Sequence, residues 1–377
     1  PQNYAFLVAL SKTYVNYRHQ SDVFRAYKIL SQSGIHRDNI ITFAYNDVAY
    51  DKNNPFPGKV FNKPDFYGKG SDNYELVKDN IDYQKTAVNK LNILNALLGK
   101  SSLLSKQKVL VTTEKDNVFI FMSGHGGTGF LVLPDGQKLF ADEFNAALQQ
   151  LISKKVFNKL VFYLEACESG SMFDGYLNST MNVYAVSASD PYTPSYAYFC
   201  GKPIVNRRSI GSCLSDEFAN SWMDTTEQQI RENNFTYTLG NQWVEIRNRV
   251  ANSKPHSYGN LNFRRESIFE FHTNKTYLYT KNQNDHNNKK QEIEELYKDK
   301  IGKKVFNAGK LVKNTFSNNK NKSNYRFKST SKSKSTLKNR QSDFSDQHYN
   351  KDDVNENVDS PLKDSEILVT KPTLIGK

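Results

Sequence analysis

Sulfur and indole are scarce in this chain: 377 residues include 3 cysteines, 4 methionines and 2 tryptophans. Three cysteines in an oxidising compartment fit one disulfide and one free thiol. Around Cys167 and His125 no second His or Cys falls at ligand spacing, so no metal is expected, and no other cofactor either. Long apolar runs are missing as well. No stretch approaches the ~20 apolar residues of a membrane span, and no membrane segment is expected. Pro1-Gln2-Asn3 leads directly into a strand-like NYAFLVAL without a signal-peptide pattern, which leaves secretion open.

Acidic charge is short in one region only. The net charge is +12, and residues 281–340 alone hold 17 Lys or Arg against 5 Asp or Glu, which is the whole excess. The rest of the chain is balanced. A basic chain would ordinarily suggest nucleic acid; here the charge belongs to a tail segment, and no nucleic-acid partner is expected. Four Asn-X-Ser/Thr triplets begin at Asn178, Asn234, Asn274 and Asn321, but a chain rich in Asn produces them by chance.

What is present, over 1–272, is an alternation of strand-like and helix-like segments. Apolar runs at 3–10, 39–46, 117–127, 159–167 and 181–189 read as strands. Segments 22–34, 86–100 and 141–155 carry apolar residues at helical spacing, and Gly34 and Gly99 stand at helix ends. Short apolar strands separated by helices imply an α/β fold with a mostly parallel central sheet covered on both faces. The expected organisation is a domain over 1–280, a linker and short helix over 281–306, and a low-complexity basic tail over 307–377. That tail cannot bury enough apolar surface to order itself and is read as disordered.

One stretch asks for a chemical explanation. In KLVFYLEACESGSMF (159–173) a hydrophobic strand ends in Cys167 between Glu165 and Glu168. An earlier strand ends in SGHGG, with His125 among Gly124, Gly126 and Gly127. Ligands of parallel sheets bind at the carboxyl ends of strands. A thiol there becomes a nucleophile when an imidazole stands beside it, and glycines let backbone N–H groups approach an oxyanion. Alone, Cys167 would read as a small buried hydrophobe and His125 as a turn histidine. At equivalent ends of two strands the pair reads as catalytic.

These residues also carry a resemblance. YVNYRHQSD (14–22), NNPFPGKVFN (53–62), SGHGGTG (123–129), YLEACESGSM (163–172), SYAYFC (195–200) and SCLSDEFANSWMD (212–224) run in order through 1–272, with SKPHSYGN (253–260) a weaker match. The chain resembles the legumain-type asparaginyl endopeptidases, caspase-like cysteine peptidases. The resemblance implies Cys167 as nucleophile, His125 as general base and acid, and Asn16 as the group orienting the imidazole. It places the backbone N–H groups of Cys167 and Gly126 in an oxyanion hole. It implies a disulfide between Cys200 and Cys213, polypeptide substrates with exposed Asn, and a lysosomal, vacuolar or secreted setting.

A substrate Asn explains the carboxylates. Its amide offers one acceptor oxygen and an NH₂ donor. The resemblance puts Arg18, His19, Glu165, Ser195 and Asp216 around it: Arg18 donates to the amide oxygen, Glu165 and Asp216 accept from the NH₂, and Ser195 is a wall. The plainer alternatives are a structural Arg18–Glu165 ion pair, a helix N-cap at Asp216 and a turn serine at Ser195. Glu168 is read as structural. Three departures stand out. Gly124 replaces the Asp usual before the catalytic His, the residue associated through a succinimide with ligase behaviour. Pro194 stands where Ser is common, and the usual helical prodomain with cysteines is not recognisable after 280. Gly124 is similar instead to the GPI-anchor transamidase catalytic subunit, a runner-up that lacks EACESGSM; a non-catalytic binding relative is the third reading. The Asn-rich segment 281–290 is an expected self-processing site.

Overall fold

A computed structural model of the chain describes residues 2–64, 70–101, 107–274, 276–278, 280, 281, 283 and 291. The described core belongs to a unit spanning 1–303. The expected helix within 281–306, most of the processing segment 281–290 and the tail 307–377 lie outside the described residues.

The elements run β1 (Asn3–Ala9), α1 (Tyr17–Gln32), β2 (Ile40–Phe43), α2 (Lys90–Leu97), β3 (Asn117–Ser123), the short strands β4 (Gly126–Gly127), β5 (Phe130–Val132) and β6 (Lys138–Phe140), α3 (Ala141–Ser153), β7 (Lys159–Glu165) and β8 (Val183–Ser187). Then come β9 (Ala197–Tyr198), β10 (Ile204–Val205), β11 (Arg208–Ser209), β12 (Ser215–Asp216), α4 (Glu217–Glu232), α5 (Leu239–Arg249) and β13 (His256–Gly259). The central sheet has the order β13-β8-β7-β3-β1-β2. All its pairings are parallel except β13 with β8. The expected α/β class with a mostly parallel sheet is therefore present, with one antiparallel edge that the sequence pattern did not reveal.

Strand alternation sorts the core. Leu7, Phe119, Phe121, Val161 and Tyr163 pack in one cluster with Trp222 and Phe218 of α4. Their neighbours Phe6, Val8, Ile120, Phe162 and Leu164 pack on the other face with Ile93 of α2 and Phe144 of α3. A strand buried on both faces shows no alternation in its sequence, which is why these read as continuous apolar runs. Among the described residues no helix is long and apolar enough to cross a membrane.

Two boundaries differ from expectation. Helix α1 starts at Tyr17 rather than 22, because its first turns bury polar groups: His19, Gln20, Ser21, Asp22 and Arg25 are all within 2% of full burial. Amphipathic spacing cannot find a helix whose hidden face is polar. Helix α2 starts later, at Lys90, where Asn89 caps it by accepting from Asn92 N at 2.9 Å.

From β1 the chain turns to β2 on one side, and later strands add on the other. The reversal falls between β1 and β3, the crevice where open α/β sheets bind ligands.

Candidate active site

Strands β3 and β7 end in register, Ser123 opposite Glu165. The pairing runs one step on, through Gly124 N to Glu165 O at 3.0 Å. His125 and Cys167 follow these two ends and so emerge side by side. The adjoining strand β1 supplies the third group. Leu10 N still pairs with Ser123 O at 2.9 Å, after which the chain turns through Thr13 and reaches Asn16. Thr13 has φ of 73°, an unfavourable conformation for a β-branched residue, here imposed at the site's edge.

His125 Nε2 and Asn16 Oδ1 are 2.7 Å apart. The Asn16 amide is itself fixed, because its Nδ2 donates to Lys12 O at 3.0 Å. With Oδ1 facing the ring, Nε2 must carry the hydrogen. The free lone pair is then on Nδ1, the tautomer that can accept a thiol proton. The ring is open to solvent on one side; desolvation by the surrounding chain, then the charge of Arg18, push the imidazole pKa down against the opposing pull of Asp216. Behind it the buried His19 ring meets it edge-on, centroids 4.8 Å apart. His19 Nδ1 pairs with Ser11 Oγ at 2.7 Å. Burial, Arg18 and His125 hold His19 well below its ordinary pKa, so it is neutral.

Cys167 is half-buried, and its Sγ lies 3.7 Å from Ser195 O. Burial is the leading cause pushing the thiol pKa up, with Ser195 opposing it and Glu168 adding to it. Both shifts favour the neutral forms, thiol and imidazole. The next residue, Glu168, has φ of 46°, so the chain turns sharply after the thiol. Gly126 lies directly on this turn: a Cβ there would sit 2.8 Å from Cys167 O. Ser171 joins the two strand ends, accepting from Gly129 N at 2.7 Å and donating to Glu168 O at 2.5 Å.

Beside the thiol, α1, β7 and β12 bring Arg18, Glu165 and Asp216 together. Arg18 Nε donates to Asp216 Oδ1 at 2.8 Å. Asp216 occupies the N-cap position of α4 but makes no capping hydrogen bond. Glu165 does that work from β7, its Oε2 accepting from Ala219 N at 3.0 Å. The remaining oxygens, Glu165 Oε1 and Asp216 Oδ2, are buried with no hydrogen bond of ordinary geometry. Burial and the neighbouring Asp216 raise Glu165 well above its ordinary pKa, against Ala219 N, Ser195 and Arg18. Burial raises Asp216, against Arg18. Buried oxygens without donors are costly in a purely structural cluster.

Residues 3–300 match the Peptidase C13 family. The chain belongs to that family. It is 40% identical over 255 residues to the vacuolar-processing enzyme delta-isozyme of Arabidopsis thaliana, covering 67% of this chain and 53% of that one. It is 34% identical over 279 residues to legumain of Canavalia ensiformis, covering 71% and 57%. The chain thus spans less than two thirds of the length of these C13 relatives. The crystal structure of caspase-1 from Spodoptera frugiperda shows a partial likeness, with a TM-score of 0.38 at 12% identity over 68% of this chain and 87% of that one.

Of the residues singled out in the sequence, Asn16 and His125 pair, and Cys167 and Ser195 are in contact. Arg18 and Asp216 pair directly, with Glu165 beside them. Cys200 and Cys213 form a disulfide, closing the hairpin β10–β11. Sequence reasoning assigned nothing to Ser11, Asp22 or the Ala219 amide. Asp22 had a signal, lying four residues after Arg18 within YVNYRHQSD; the Ala219 amide had none.

Proposed function

We propose that the chain is a cysteine endopeptidase that hydrolyses peptide bonds after Asn, and after Asp at acidic pH. The observation that carries it is the Asn16–His125 contact at 2.7 Å beside Cys167, on adjacent strand ends. Nδ1 of His125 takes the proton of Sγ as sulfur attacks the carbonyl carbon. The N–H groups of Cys167 and Gly126 hold the oxyanion. The imidazolium returns the proton to the departing amine, leaving a thioester. Water then attacks with His125 again as base, and the acid product leaves.

Specificity follows from the unsatisfied pocket. Arg18 donates to the Asn side-chain oxygen, and Glu165 and Asp216 accept from its NH₂, with His19 behind and Ser195 at the wall. A neutral amide meets donor and acceptors at once. The name of the Arabidopsis relative, a vacuolar-processing enzyme, supports a vacuolar setting, and the peptidase family supports polypeptide substrates.

Acyl transfer to an amine is the second reading, raised by Gly124. Gly124 has no side chain from which a succinimide could form. An Asp at 124 would bring a Cβ to 2.5 Å from Leu10 Cβ, so this backbone has no room for one. Incubating the protein with a peptide library and an added amine at several pH values, with products read by mass spectrometry, tests both. Cleavage after Asn supports the proposal. Amine adducts alone would replace it with transfer, and no product with an unalkylated Cys167 would reject catalysis.

A further inference from the structure

One buried carboxyl beside the pocket has no role so far. Asp22 is fully buried on α1, four residues after Arg18, so the two side chains leave the same helix face. Arg18 holds the Asp216 side chain; Asp22 holds the residue before it. Asp22 Oδ1 accepts from Ser215 Oγ at 2.5 Å and from Asn62 Nδ2 at 2.7 Å. Its Oδ2 is 3.4 Å from Ser123 Oγ, at the end of β3, two residues before His125. Through Ser215 the Asp22 carboxyl is tied to the residue that precedes Asp216, and both carboxyls are buried. Asp216 Oδ2 has no hydrogen-bond partner, and the nearest base, His19 Nε2, stands 3.7 Å away. Two neighbouring buried carboxylates repel each other. One proton between them turns the repulsion into a hydrogen bond and gives Asp216 a donor.

We propose that Asp22 is a positioning residue of the specificity pocket: a neutral carboxylic acid whose O–H donates to Asp216 and keeps Asp216 aligned with Arg18 for the substrate side chain. This rests on the reading of the pocket given above.

The surrounding charges agree. Asp22 is faced by Asp216 from β12 and Glu165 from β7, both acids, and by Arg18 on its own helix. Arg25, one turn further on, touches Asn62 Oδ1 at 3.1 Å, but Asp224 and Glu227 engage its charge. His19 and His125 are held towards their neutral forms. Three ionised carboxyls would therefore share one uncommitted cation out of reach of water. Burial, then Asp216, push the Asp22 pKa well up, against the hydrogen bonds from Ser215 and Asn62. Raising the pH removes the shared proton, and the pocket then loses its grip on the amide.

The test is binding without turnover, in the Cys167→Ala protein. The affinity of an Asn-containing peptide should fall about tenfold from pH ~5.5 to pH ~8, one pKa unit of differential interaction. In Asp22→Asn the side-chain NH₂ replaces the acid O–H as donor and cannot ionise, so the fall should shrink to about threefold or less. Parallel pH profiles in the two proteins would overturn the proposal. If Asp22→Asn does not fold, infrared spectroscopy of Cys167→Ala/Glu165→Gln decides. A carboxylic-acid C=O band present at neutral pH and lost on alkalinisation supports the shared proton, and its absence refutes it. A Lys peptide binding as tightly as the Asn peptide would sink the specificity reading alone, since the band does not depend on substrate.

Discussion

Helix α1 carries two arginines two turns apart, and they live in opposite surroundings. Around Arg25 the charges are matched. Asp224 lies 2.5 Å and Glu227 2.6 Å from its Nη2, Lys63 pairs with Asp224 as well, and Asn62 and Asn220 accept from its Nη1 at 3.1 Å. Burial alone would lower the Arg25 pKa, but Glu227 and Asp224 reverse the direction. Around Arg18 stand the carboxyls of Glu165 and Asp216, with Asp22 one turn along the helix, and burial raises the pKa of all three. Two carboxylate oxygens there have no donor. The same helix thus holds a saturated cluster that ties α1 to α4 and an unsaturated one, the proposed specificity pocket. Unmet hydrogen-bonding capacity, more than buried charge as such, is what sets the proposed pocket apart.

The contrast breaks most sharply at the thiol. Cys167→Ala should lower turnover by about 10⁴-fold or more while the melting temperature stays put, because only the covalent step is removed. Residual activity within about tenfold of the parent would take Cys167 out of the mechanism.

Exchanging the two arginines for Met separates the clusters next. Arg18→Met should cost about 10²–10⁴-fold in the kcat/KM of the folded protein for Asn peptides, since buried acceptors lose their partner group. Arg25→Met leaves Asp224 and Glu227 mismatched, a cost of about 3 kcal/mol, or roughly 6–12 °C for a domain of this size. Its folded fraction should keep its kcat/KM. The reverse assignment of the two effects would dissolve the distinction.

A third buried group sharpens it through pH. His272 sits among Phe119, Tyr163 and Trp222, with only Thr226 Oγ1 near its Nδ1, at 3.3 Å. Burial lowers its pKa to about 3. Its unfolded value is about 6.5, so the folded state favours the neutral ring. That stability is complete above pH ~6.5 and is lost as pH falls towards ~3, up to several kcal/mol. His272→Phe should flatten this acid limb in denaturant titrations; an unchanged limb would place the acid sensitivity elsewhere. The effect furthest from the contrast is expected at the hairpin β10–β11, where only stability should respond. Replacing Cys200 and Cys213 by Ser should cost on the order of 3 kcal/mol, and thiol titration of the unreduced, denatured parent should find one free thiol.

The sheet was legible because its strands are apolar on both faces, and the thiol and imidazole because glycine turns follow their strands. Pocket residues were legible only through resemblance. Nothing in a helix such as YRHQSDVFRAYKIL says that its polar positions face inward, since that depends on β12 and α4 arriving from residues 215–232 to meet Arg18, Asp22 and Arg25. The antiparallel β13 was hidden for the same reason: HSYG has no strand signature until β8 offers it an edge.

The central claim is that an unsaturated pocket of both charge signs selects a neutral amide. Matched peptides with Asn, Asp, Leu or Lys before the scissile bond, assayed from acid to neutral pH, test it most directly. An ionised Asp brings a negative charge towards Glu165 and Asp216; protonated, with an ordinary pKa of ~3.9, it offers them a donor as Asn does. Cleavage after Asn should persist to higher pH, the Asp/Asn ratio should rise on acidification, and Leu and Lys should be poor by up to ~10⁴-fold. Lys cleaved as well as Asn, or an Asp/Asn ratio that does not change with pH, would contradict the account.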